Sequence, residues 1–212
     1  MGKCLEEEIK LASEFGSKIE ELVVARGQCP TGERNTPLMA YWSLAFEFHK
    51  AILSLIANKF YGAAFALERP ILEATVRAHL VVFVHDDVLK KILDDGYRMN
   101  FRTVGREIDD AFRLEGHFEE FLKKAKDALH GYTHVGMHQL GRRFQRTDLV
   151  PNYSEEEITE VIRTSTSAAF MVNNIVTKYL GFEEEWKETT RLFGEWGKSH
   201  PTCRLPIKNK DR

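Results

Sequence analysis

Apolar residues in this chain recur at intervals of three and four and nowhere alternate strictly with polar ones. Near the start, Leu5, Ile9, Phe15, Ile19, Leu22 and Val23 follow this spacing with Glu and Lys between them. That is the period of an amphipathic helix. No run rich in Val, Ile, Thr or Tyr alternates and closes in a hairpin turn, so an all-α fold is favoured over any sheet protein. The expected architecture is a single-domain antiparallel helical bundle of about six to eight helices. At 212 residues the chain suits one such domain, residues 1–196, followed by a flexible tail, residues 197–212, that carries two prolines and scattered basic residues.

Punctuation divides the pattern. A helix over Leu5–Arg26 ends in the Gly-, Pro-, Asn- and Thr-rich stretch Gly27–Pro37, predicted to be a loop. Residues Pro37–Lys59 are apolar on most sides, as a central bundle helix should be. Tyr61–His85 reads as a second central helix, with Pro70 removing one backbone bond and kinking it from within. A mixed-charge stretch, Asp86–Arg113, precedes a short amphipathic helix over Glu115–Leu129 and a His- and Gly-rich segment, His130–Arg146. Ser154 followed by Glu157 is a capping box at the head of a helix that reaches Leu180 and stops at Gly181. A last helix holds Phe182, Trp186, Leu192, Phe193 and Trp196.

Composition narrows the functions. Thirty Lys and Arg against 32 Asp and Glu give a formal charge of -2, so no global field attracts polyanions and any nucleic-acid contact must be local. Cys4, Cys29 and Cys203 are odd in number, far apart and free of any C-x-x-C pair. A reducing compartment, with the cytoplasm as default, is therefore expected. The start, MGKCLEEE, is acidic where a signal peptide would be basic then apolar, and no apolar run has membrane-spanning length. Phosphate-binding loops, dinucleotide fingerprints and the nucleophile elbow are all missing, and no cofactor is expected.

Two constellations carry chemistry. Arg69, Glu73 and Arg77 stand at i, i+4, i+8 on an otherwise apolar helix. A stripe in such company should be at least half buried, making Glu73 the natural partner of both arginines, with Glu47 joining from the preceding helix. This is either a packing clamp or a guanidinium aimed at a phosphate or carboxylate. His130, His134 and His138 repeat the spacing within HGYTHVGMHQLGRR. They suit a polar seam held by carbonyls, Tyr132 or Thr133, an acid-base pair, or metal ligation assisted by His49, His79, His85 or His117. The absence of H-E-x-x-H, E-x-x-H and C-x-x-C signatures weighs against metal, and no metal ligand is assigned. Arg98, Arg102 and Arg106, and then Arg142, Arg143 and Arg146, form basic stripes that suit phosphates or a solvated face.

At FALERPILEATVRAHLVV and ALHGYTHVGMHQLGRRF the chain resembles a group of uncharacterised bacterial all-helical proteins, in which a helix bearing R-P-x-x-E precedes a His-containing segment. More distantly it is similar to the HEPN helical domains. That resemblance implies a HEPN-like bundle core, a homodimer, and metal-independent ribonuclease activity of the toxin, phage-defence or RNA-processing kind. HEPN nucleases separate an Arg from a His by four to six residues; here Lys123 or Lys124 before His130 is the nearest substitute, and Arg113 stands too close to His117. The matching positions are Arg69 and Glu73, then His134 and Arg142.

Three functions are therefore weighed. In an RNA-targeting enzyme, His134 or His130 would serve as acid-base beside Arg69 and Glu73, with Arg77, Tyr132, His138, Arg142 and Arg143 binding substrate. A non-catalytic dimeric interaction or ligand-binding module should expose an apolar patch involving Trp186, Phe193 and Trp196, with Arg69 and Glu73 satisfied internally. A metal-dependent hydrolase would converge at least three ligands.

Overall fold

The computed structural model describes residues 3–27, 30–94, 96–123, 141–145, 148–149 and 151–199. The helices are α1 (Lys3–Val24), α2 (Asn35–Ala57), α3 (Tyr61–Ala66), α4 (Glu68–Phe83), α5 (Asp86–Leu93) and α6 (Phe101–Phe112). Next come a short helical stretch, α7 (117–123), then α8 (Glu155–Tyr179) and α9 (Glu183–Ser199). One two-residue antiparallel ladder, β1 (Phe144–Gln145) with β2 (Asp148–Leu149), pairs Phe144 with Leu149. The fold is an all-α helical bundle. No helix among the described residues is long and apolar enough to cross a membrane.

Helices α2, α4 and α8 pack on one another at the centre; α1 covers α8 and α2, and α9 covers α8 and α1. The buried stripe of α1 runs Leu5, Glu8, Ala12, Phe15, Ile19 and Val23, steps of three and four that keep one face inward. Helix α2 begins two residues before Pro37, which sits in the first turn where a missing N–H breaks no helical bond. Its end is forced by Lys59, at φ 63 in the left-handed region.

The expected single helix over Tyr61–His85 is two helices. Leu67 is a turn residue between them, and Pro70 falls in the first turn of α4 instead of kinking a continuous rod. A proline there would have clashed with the carbonyl one turn earlier, Ala66; a one-residue break removes the conflict. At the far end of α4, Arg34 donates to Val81 O at 2.7 Å and Val84 O at 2.8 Å and pairs with Asp86 at 2.6 Å. A cation here satisfies terminal carbonyls and opposes the helix dipole.

The mixed-charge stretch after His85 resolves into α5 and α6. Asp109 accepts from the backbone N–H groups of Phe118 and Glu119 at 2.9 and 2.8 Å, fixing the entry to α7. The capping box of α8 forms as expected, Glu157 N–H donating to Ser154 Oγ and Ser154 N–H to Glu157. Gly181, at φ 73, ends the helix. The last helix continues to Ser199, three residues into the expected tail, and residues 200–212 lie outside the described ones.

The expected apolar patch is not exposed. Phe193 stacks on Phe170 at 3.8 Å between centroids, Trp196 is buried against Phe15 and Phe193, and Trp186 is half-buried beneath Lys178. Aromatic residues at this spacing close α9 onto α1 and α8 rather than offering a surface.

Candidate functional site at the junction of α3, α4 and α8

Three chain segments meet where α3 breaks into α4. Gly62, in α3, lacks the Cβ that would otherwise stand 2.8 Å from Arg143 Nη2 and 3.0 Å from Tyr153 Oη. Both side chains therefore lie directly on the helix backbone, a close approach only glycine permits. Tyr153 packs its ring on Phe65 at 5.0 Å and Tyr61 at 5.7 Å. The guanidinium of Arg142 lies over the same surface, 5.4 Å from the Tyr153 ring and 5.9 Å from Phe65. It also donates to Glu157 at 2.5 Å. That bond, with help from Ser154, holds the Glu157 carboxyl down to about 2. One residue thus serves both as helix cap and as the anchor of Arg142.

The two arginines are left in different states. Arg142 is half-buried and neutralised by Glu157. Arg143 is exposed, and among the described residues no acidic side chain pairs with it.

Below this surface lies a buried acid. Glu68 is 3% exposed, and among the described residues its Oε2 has no hydrogen-bond partner. Burial, aided by repulsion from Glu160 on α8, pushes its carboxyl up to about 8. A carboxylate in the first turn of a helix gains about 0.3–1 kcal/mol from the dipole. Loss of hydration costs several times that, so the acid form prevails. The Tyr153 hydroxyl is likewise buried and, among the described residues, without a partner.

The residues expected from sequence fall as follows. Arg69 donates to Glu73 at 2.8 Å, as expected for their i, i+4 spacing. Both side chains are about a third exposed, in line with the expected half-burial of the stripe. Arg77 turns instead toward α5, with Nη1 3.5 Å from Ile92 O. No Glu73–Arg77 contact is among its described bonds, and Glu47 is exposed away from the stripe. The physical reason is position: the deeply buried face of α4 is Glu68, Leu72, Thr75, Val76 and His79, and the arginines flank it. His130, Tyr132, His134 and His138 lie outside the described residues. Arg106 pairs with Glu119 at 2.9 Å.

The auxiliary histidines do not converge. His79 Nδ1 donates to Thr75 O at 2.8 Å with its ring between Phe112 and Phe118; His49 lies between α1, α2 and α8; His85 and His117 are exposed. Burial holds His49 and His79 down to about 4, so both are neutral. Among the described residues no group of three or more His, Cys, Asp or Glu is placed to hold a metal ion.

Glu68 had a legible signal, since Phe65 and Leu72 flank it at i-3 and i+4 on one apolar face. Tyr153 and Gly62 had none, because they lie about ninety residues apart in sequence and meet only through the tertiary fold.

Residues 42–95 match the model of a family of unknown function, DUF6988. The matched segment runs from α2 through α5 and contains Gly62, Glu68, Arg69, Glu73 and Arg77. No curated protein matches the chain, and no solved structure does.

Proposed function

We propose that this protein is an RNA-targeting helical bundle of HEPN-like character, of toxin or phage-defence type, acting as a homodimer in the cytoplasm. The observation that supports this reading is the Arg142–Arg143 pair on the aromatic surface of Tyr61, Phe65 and Tyr153. Aromatic faces stack unpaired bases and guanidinium groups take phosphates, the combination single-stranded RNA requires. Since Glu157 neutralises Arg142, Arg143 is the cation left for a phosphate. The His-rich segment leads in sequence directly into this pair, which makes His134, or His130, the acid-base residue, with Tyr132 and His138 as substrate contacts. Arg69, held by Glu73, and Arg77, turned toward α5, take lesser parts.

The test is incubation of the purified protein with total RNA, with and without a chelator. Cleavage should survive chelation and vanish in His134→Ala. Arg143→Ala should weaken RNA binding and lower the salt slope by about one. RNA that is neither bound nor cut sinks the reading, and cleavage lost on chelation turns it toward a His-ligated metal hydrolase.

One observation favours a second reading, the non-catalytic interaction or ligand-binding module: Arg69 and Glu73 satisfy each other within a single helix, as a structural pair would. RNA bound but left intact would select it.

A further inference from the structure

Helix α2 ends in a left-handed cap. Lys59 N–H donates to Ile56 O at 2.9 Å and Phe60 N–H to Leu55 O at 2.7 Å, with Lys59 at φ 63. Asn58 adds a side-chain bond to Ser54 O at 2.8 Å. On the other side, Phe60 O accepts from the N–H groups of Ala63 and Ala64, both at 3.1 Å, as α3 begins. The backbone of Phe60 is thus fixed from both helices. In such a cap an apolar residue after the left-handed position ordinarily packs back on the last turn, here on Leu55. Phe60 is instead 63% exposed, more than any other large apolar residue among those described. The cap accounts for its backbone but not for an open aromatic ring.

That ring stands one residue before Tyr61 and two before Gly62, on whose backbone Arg143 lies. The neighbouring rings are closed: Phe65 is buried, and Tyr61 and Tyr153 are half-buried and packed on each other at 5.7 Å. A base needs an open face to stack on, and among the described residues of this junction Phe60 is the ring that has one. Lys59 beside it is exposed, as Arg143 is, and no ion pair among the described residues includes either. Two uncompensated cations about an open aromatic ring are complementary to a phosphate backbone that carries an unpaired base.

We propose that the α2–α3 turn is the base-stacking part of the RNA surface, in which Phe60 takes one unpaired base of a single strand and Lys59 the adjoining phosphate. This rests on the RNA reading and extends the footprint from Arg143 across the start of α3. Every base has a π face, so the position supplies affinity for single strands rather than for a sequence. A duplex keeps its bases stacked on one another and cannot use the ring.

The full-length protein is titrated with a short 2′-O-methyl oligouridylate, which lacks free 2′-hydroxyls so that cleavage does not intervene, and with the same strand without its bases. Phe60→Ala should bind the oligouridylate about fivefold more weakly or worse, and the abasic strand as the wild type does. Phe60→Trp should restore the affinity. Lys59→Gln should weaken binding of both strands and reduce the salt slope by about 0.7, one phosphate contact on a single strand. Wild-type affinity in Phe60→Ala, an equal loss on the abasic strand, or an unchanged slope in Lys59→Gln would each overturn the proposal. With Arg143→Ala still weakened, those results leave the RNA reading standing, whereas a wild type that binds neither strand sinks both.

Discussion

Helix α8 borders two polar regions that are handled in opposite ways. Toward its C-terminal end, Trp42 Nε1 donates to Asn173 Oδ1 at 2.9 Å and Asn173 Nδ2 donates to Thr189 Oγ1 at 2.9 Å, a chain that ties α2, α8 and α9 together. Thr177 returns its hydroxyl to Asn173 O at 2.8 Å. Toward the N-terminal end, Glu68 feels the charge of Glu160, and among the described residues one Glu68 oxygen and the Tyr153 hydroxyl have no partner. Fully paired polar groups fix the register of a core. Unpaired ones cost stability, and a fold carries that cost most readily where something else is meant to bind. The contrast sets the α3–α4–α8 junction apart from the Asn173 chain, although Trp186 Nε1, beneath Lys178, is also buried without a partner among the described residues.

The largest test of that contrast is pH. Glu68 is held at about 8 against an ordinary 4.5. Below the lower value it is protonated folded or unfolded and costs nothing. Between the two, unfolding releases a proton that folding retains, so stability falls as pH rises, and above about 8 the cost is complete. The window corresponds to a loss on the order of 5 kcal/mol. Urea unfolding at pH 5 and pH 9 should show the wild type losing several kcal/mol more than Glu68→Gln, which cannot ionise. Equal losses would mean that Glu68 is ionised in the fold, and the two ends of α8 would no longer differ.

At the paired end, Asn173→Ala removes an acceptor and a donor together and strands the Trp42 N–H in a dry core. The expected cost is about 3 kcal/mol, combining the orphaned group with the lost volume, and it should be the same at both pH values. A loss under about 1 kcal/mol would show that the chain is replaceable and that pairing does not fix this end.

The sequence carried these two ends unequally. Helical periodicity, the Ser154–Glu157 cap and the Gly181 stop are local signals, and each sits where the spacing put it. The break at Leu67 is not legible from sequence, because one proline can kink a helix or begin one; which occurs depends on whether a preceding turn is better ended than bent. Arg69 and Glu73 paired as their spacing required and are more than half buried as expected, yet which face of α4 is innermost could not be read, since α4 is apolar on several faces and its packing against α2 and α8 decides it. The same ambiguity hid Glu68. The aromatic surface under Arg142 joins residues about ninety apart, beyond any local rule.

An intermediate effect is expected at Gly62, whose missing Cβ lets Arg143 and Tyr153 lie on α3. Gly62→Ala gains about 1 kcal/mol of helix propensity but must displace a guanidinium and a phenol. The net change in stability should be small and of either sign, because Arg143 is exposed and can swing away. RNA affinity should fall as far as in Arg143→Ala. Loss of affinity without loss of stability separates a positioning role from a packing one; an unchanged affinity would show that Arg143 does not act from this place.

The smallest effect belongs to the residues the sequence pointed to most strongly. Arg69 and Glu73 form an i, i+4 pair about a third exposed on each side, where water screens the attraction and ordering two long side chains offsets part of it. Such pairs contribute about 0.3–0.5 kcal/mol. Arg69→Ala and Glu73→Ala should each fall within that range by urea unfolding, and the double variant should equal either single one, since the second change has no partner left to lose. A loss above about 2 kcal/mol from Arg69→Ala alone would mean that Glu73 is left buried and charged. The pair would then belong with Glu68 in the costly class, and the uneven treatment of charge would extend along α4 as well as α8.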